Sequence, residues 1–150
     1  MRHTLAGFVT GLAVVAAEID GRMVGMPANS LGSVSLDPPL VSLAFAHTST
    51  TWPVLQRAKR WGISVLGEEQ LHVLQDLRRP TAERFSGVEM DVDDGAAFVR
   101  GALATITVTP HDTIQAGDHA LVLLEVTALH RGHGRRPLAF FDSALHTLSR

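Results

Sequence analysis

The chain has no cysteine, which excludes disulfides, thiolate catalysis and cysteine-ligated metals. It is also short of net charge. Thirteen Lys and Arg against fifteen Asp and Glu leave −2 with His neutral, giving no electrostatic footprint for nucleic acid or an anionic membrane. The short pairs Arg78-Arg79 and Arg135-Arg136 read as solvated surface. Internal repeats, linkers and low-complexity segments are missing. No Ser-His-Asp spacing, Gly-rich phosphate loop or pair of catalytic carboxylates can be picked out. His130 and His133 sit in a Gly/Arg loop without nearby carboxylates, so they read as surface residues and no metal site is expected.

What is present fits one domain spanning residues 1–150, 45% hydrophobic and 19% charged. The apolar run Leu5–Ala17 behind Met1-Arg2-His3 has the outline of a secretory signal. No small-residue cleavage pattern precedes Glu18, however, and Asp20-Gly21 between two apolar runs is a strong hairpin signal. The run is therefore expected to be a buried strand, and the protein cytoplasmic.

Apolar stretches recur at Phe8–Ile19, Met23–Leu36, Leu40–Ala46, Gly62–Leu66, Phe98–Thr109, Ala120–Leu129 and Leu138–Leu148. Turn chemistry at Asp20-Gly21, Asp37-Pro38-Pro39, Asp93-Asp94-Gly95 and Gly132–Pro137 separates several of them. This pattern predicts a mainly β fold, an antiparallel barrel or sandwich with two helices. One helix opens at Thr48–Pro53 and continues over Val54–Arg60. The other spans Glu68–Arg79, with Leu71, Leu74 and Leu77 at helical spacing for the core.

The stretch Val24–Leu43 is unusual for strand sequence. Ala28, Asn29, Ser30, Gly32, Ser33 and Ser35 give a small, hydroxyl-rich backbone that a flat polar ligand can approach closely. Ser49, Thr50 and Thr51 precede the first helix, where they either cap it or bind a phosphate at its positive end. Arg84 is either a solvated salt-bridge partner or a guanidinium fork for the same phosphate. His119, after Gly117-Asp118 at a strand mouth, serves either as a structural hydrogen-bonding group or to orient a substrate.

Taken in order, Phe8-Val9-Thr10-Gly11, Val24-Gly25-Met26, Ala28-Asn29-Ser30, Ser33–Val41, Ser49-Thr50-Thr51, Arg84-Phe85, Gly101–Ala104 and Ala116-Gly117-Asp118-His119 resemble the flavin reductase-like family of FMN-binding split β-barrels. The matches span Phe8 to Phe141. The resemblance implies an antiparallel Greek-key split barrel with a few short helices, assembled as a homodimer. It implies an NAD(P)H:flavin oxidoreductase that takes hydride from NADH or NADPH to FMN or FAD and supplies a partner monooxygenase. Under the same resemblance Pro27, Ala28, Asn29, Ser30, Ser33, Val34 and Ser35 contact the flavin ring and ribityl chain. Ser49, Thr50, Thr51, Arg84 and Phe85 form the phosphate side, and His119 meets the nicotinamide. The alternative is a split-barrel protein that binds flavin without reducing it. An oxidase of the pyridoxamine-phosphate type lacks support in the motifs.

Three places depart from the family pattern. Pro27 stands where Thr is usual, removing a hydroxyl and a backbone donor. Phe140-Phe141-Asp142-Ser143 replaces an aromatic pair followed by Arg-Gly. The family's leading helix is expected to be nearly absent.

Overall fold

Continuous apolar sequence over Ala13–Ala17 means a strand buried on both faces, and β2 (Ala13–Ile19) is that strand. In a computed structural model describing residues 1–149, it is the hub of the fold. One face of β2, with Ala13, Val15 and Ala17, packs into a barrel core built around Leu43, Phe45, Leu55, Trp61, Val122 and Leu124. The other face, with Val14 and Ala16, packs into a second core outside the barrel with Leu66, Val73, Leu74 and Leu77.

The strands are β1 (Thr10–Gly11), β2, β3 (Arg22–Ala28), β4 (Gly32–Leu36), β5 (Pro39–Ala46), β6 (Trp61–Val65), β7 (Met90–Asp93), β8 (Ala96–Val99), β9 (Ala104–Ala116), β10 (His119–Arg131), β11 (Leu138–Phe141) and β12 (Ala144–Thr147). Every ladder is antiparallel. The large sheet runs β4-β5-β10-β9-β6-β2-β8-β7, with β3 added on β2; β1, β11 and β12 form a small second sheet. The expected antiparallel barrel with few short helices is what forms. Among the described residues β3 pairs only with β2, so no ladder joins β3 to β5. The gap is clasped by one side chain: Ser30 Oγ accepts from Ala44 N at 3.0 Å and donates to Ala44 O at 3.4 Å.

The Asp20-Gly21 hairpin joins β2 to β3, with φ of 52° and 74° matching the left-handed turn that follows strand twist. The Asp93-Asp94-Gly95 turn joins β7 to β8 likewise, with positive φ at Asp94 and Gly95. Other boundaries differ from the sequence expectation. Phe8–Ile19 is broken before Ala13, because β1 pairs with β11 in the other sheet. Met23–Leu36 breaks at Asn29-Ser30-Leu31, where the chain crosses the gap. Strand β9 passes Thr109 and continues through Pro110, because a bulge lets Leu124 face Pro110 while Leu123 faces Asp112. Leu138–Leu148 is a hairpin across Asp142 and Ser143, both at positive φ.

The helices are shorter than expected. α1 is Arg2–Leu5, α2 is Trp52–Leu55 and α3 is Leu71–Asp76, the last entered through a 3-10 turn at Glu68–Gln70. Leu74 and Leu77 reach the second core as expected, but Leu71 is exposed because α3 begins with it and turns it outward. α2 is fixed over one end of the barrel by an aromatic trio. Trp52 stacks on Phe45 at 4.5 Å, and Trp61 meets both edge-on at 5.7 and 5.9 Å. Trp61 Nε1 donates to Leu55 O and Ala58 O, which ties down the turn that ends α2.

Candidate functional site

The free edge of β3 faces the gap in the barrel, and its register says which backbone groups it offers. Leu12 O accepts from Leu66 N, and Glu18 N donates to Gly95 O, so even-numbered residues of this strand point toward β6 and β8. Odd-numbered ones bond to β3. In the β2–β3 ladder Val14 faces Pro27 and Ala16 faces Gly25. These are therefore the non-hydrogen-bonded pairs, and the backbone groups of Gly25 and Pro27 point away from β2, toward the gap. That is why proline is accepted at 27: its missing N–H interrupts no ladder bond. Gly25 has a separate reason to be glycine. A Cβ there would lie 2.4 Å from Val15 O and 2.8 Å from Ala16 Cβ, so the close crossing of β3 over β2 admits no side chain.

Arg84 reaches this edge from the loop before β7. Its Nη1 donates to Gly25 O at 3.2 Å and to Thr51 Oγ1 at 2.8 Å. Its Nε is buried with no partner. Phe85 packs into the second core and so anchors the loop that presents Arg84. Arg84 is thus not a solvated salt-bridge residue. It is a half-buried guanidinium held by the Gly25 carbonyl and the Thr51 hydroxyl, with its buried Nε still unmet, and that donor set suits a phosphate-type anion.

At the helix start the amides of the first turn bond within the chain. α2 is a single turn, and Ser49 Oγ accepts from Thr51 N at 3.2 Å and Trp52 N at 3.1 Å. Pro53 has no N–H, while Val54 N and Leu55 N bond to Thr51 O. The amides of Thr51, Trp52, Val54 and Leu55 are thus all taken up within the chain. Capping is the role Ser49 performs, with its hydroxyl directed at Met26 Sδ, 3.9 Å away across the gap. Thr51 is buried and Thr50 is exposed beside it.

His119 opens β10 opposite Ala46 of β5 and Ala116 of β9, at the same end of the barrel as the Ser49 turn. Its Nδ1 lies 2.6 Å from Asp118 Oδ1. That hydrogen bond, then the charge of His119, holds the Asp118 carboxyl below its ordinary range; the charge of His47 adds to the effect. His47 N donates to Asp118 O, and the His47 ring meets Gln115 Oε1 at 2.7 Å. Residues 47, 115 and 118 carry no joint signal in sequence, since only the β5–β10–β9 register brings them together.

The remaining expected residues lie around this centre at different distances from it. Gly25 and Pro27 turn their backbone groups to the gap and Ser30 clasps it, while Ala28 pairs with Ala13 and packs against the barrel core. Asn29 points the other way from the clasp, into a hollow shared with Leu5, Ala6, Phe140 and Ser143. Ser33, Val34 and Ser35 lie on β4, the outer edge strand beyond β5, with Ser33 and Val34 exposed. Among the described residues no group of three or more His, Cys, Asp or Glu is placed to hold a metal. No helix there is long and apolar enough to cross a membrane.

A family profile described as a flavin reductase like domain matches residues 5–149. The chain belongs to that family. It is 37% identical over 130 residues to a flavin reductase of Pseudomonas putida, which covers 85% of this chain and 76% of the relative. The flavin reductase of styrene monooxygenase from Pseudomonas putida S12 superposes with a TM-score of 0.90 at 30% identity, covering all of this chain and 97% of that one. The NADH:FAD oxidoreductase SgcE6 of Streptomyces globisporus C-1027, solved with NAD and FAD fragments, gives a TM-score of 0.92 at 27% identity, covering 99% and 90%. In this setting the unmet donor of Arg84 at the gap between β3 and β5 acquires a chemical meaning.

Proposed function

We propose that this protein is an NAD(P)H:flavin oxidoreductase, one flavin reductase-like domain that works as a cytoplasmic homodimer and delivers reduced FMN or FAD to a separate monooxygenase. The observation that carries the reading is Arg84: a guanidinium at the gap of a split barrel, with a buried Nε that awaits an acceptor. The family membership and the reactions named for the relatives support it, and those names favour NADH as the hydride donor.

In this reading Arg84 holds the flavin phosphate, with the hydroxyls of Ser49, Thr50 and Thr51 around it. Phe85 keeps Arg84 in place from the second core. Pro27, Ala28 and Ser30 border the ring along the gap, Asn29 flanks it from the hollow beside Phe140, and Ser33, Val34 and Ser35 extend that border along β4. Bound flavin supplies the hydride-accepting chemistry; the chain stacks the two rings and keeps water from between them. His119, fixed by Asp118, borders the nicotinamide. No strong general acid or base is required, in keeping with a site without paired carboxylates.

The test is NADH and NADPH oxidation by purified protein, each with FMN and with FAD. Turnover that depends on added flavin is the expected result. Flavin binding without turnover would instead select the non-catalytic flavin carrier.

A further inference from the structure

We infer that Pro27 sets how loosely this site holds oxidised flavin, because it turns the β3 edge that faces the gap into an acceptor-only edge at that position. The inference rests on the flavin reading above. Its basis is the register: Val14–Pro27 and Ala16–Gly25 are the non-hydrogen-bonded pairs, so the backbone groups of 25 and 27 face the gap. Gly25 O is already taken by Arg84 Nη1. Pro27 contributes a carbonyl and nothing to donate, where any other residue type would contribute an N–H as well.

Nearby hydroxyls do not replace that donor. The Ser30 hydroxyl is committed to both backbone groups of Ala44, because that clasp closes the gap. Ser49 Oγ accepts from Thr51 N and Trp52 N, and its own hydrogen is directed at Met26 Sδ. An oxidised isoalloxazine carries acceptors along most of its polar edge and a single N–H donor. Along this edge only the Gly25 N–H is left to donate, and the loss of the donor at 27 leaves part of that rim unpaired. The consequence is weaker binding and faster exchange of oxidised flavin than an N–H at 27 would give.

The experiment is equilibrium titration of riboflavin, FMN and FAD, followed by flavin fluorescence, on wild type and on Pro27→Ala and Pro27→Ser. Both substitutions restore an N–H on the side of β3 that makes no ladder bond, so the fold has two independent chances to accept one. One net hydrogen bond predicts a Kd lower by about three- to tenfold. The gain must be as large for riboflavin as for FMN, since it arises at the ring and not at the phosphate. Unchanged or weaker binding of all three flavins by the folded variants would overturn the inference and leave the flavin reading standing. Failure of the wild type to bind any flavin would overturn both.

Discussion

Arg84 concentrates the functional argument into one side chain. Its two Nη1 bonds hold the guanidinium in place, and its unmet Nε gives it something left to bind. A charge-assisted bond of this kind predicts that Arg84→Ala weakens FMN binding by about ten- to a hundredfold. Riboflavin, which lacks the phosphate, should bind nearly as before, and isothermal titration with the two ligands measures the contrast. Asp118 gives a second prediction at this scale. Its carboxyl is held below the ordinary range by the hydrogen bond with His119. A depressed native value means that the pairing stabilises the fold above the unfolded-state value, about 3.9, and is lost as pH falls through the lower native one. The difference in Tm between wild type and Asp118→Asn should thus be present near pH 5 and fade toward pH 2. The group is exposed, so the difference will be small.

At the scale of elements, the fold depends on strands crossing more closely than side chains normally allow. A Cβ on Gly62 of β6 would lie 2.1 Å from Ala97 O of β8. Gly62→Ala must push β6 and β8 apart, and it should destabilise the protein by about 3 kcal/mol in urea unfolding. Helix positions were the least legible in sequence. Val54–Arg60 carries the composition of a helix, yet α2 stops at Leu55 because Trp61 Nε1 takes the carbonyls of Leu55 and Ala58. Strand β7, Met90–Asp93, carries no strand signal because two of its four residues are Asp, a residue depleted in strands. It exists because the Asp94-Gly95 turn folds it back on β8.

The whole molecule is two cores sharing one strand. Leu124, fully buried in the barrel core, and Leu74, in the second core under α3, allow them to be loosened separately. Leu124→Ala should lose about 2–5 kcal/mol of stability, the range for a fully enclosed Leu. Leu74→Ala should lose less, since Leu74 is 8% exposed and lies at the margin. Chemical denaturation of both variants checks the order. Large exposed apolar residues such as Phe8 and Leu36, 72% and 91% accessible, accord with the proposed homodimer. Sedimentation at about twice the 16.1 kDa of the chain is the expected outcome.

The sequence by itself determined the strand-rich class and the hairpin at Asp20-Gly21, and it marked Ala28–Ser35 as small and hydroxyl-rich. These rest on local chemistry: turn residues need particular backbone angles, and apolar alternation needs a core. What each of these side chains touches was set only by the tertiary structure. Ser49 Oγ accepts from Thr51 N and Trp52 N because α2 starts within its reach, and the half-buried Arg84 is held at the gap because the second core anchors Phe85. The missing N–H of Pro27 acquired a direction only from the β2–β3 register. Register and burial depend on contacts distant along the chain, and local sequence does not encode them one residue at a time.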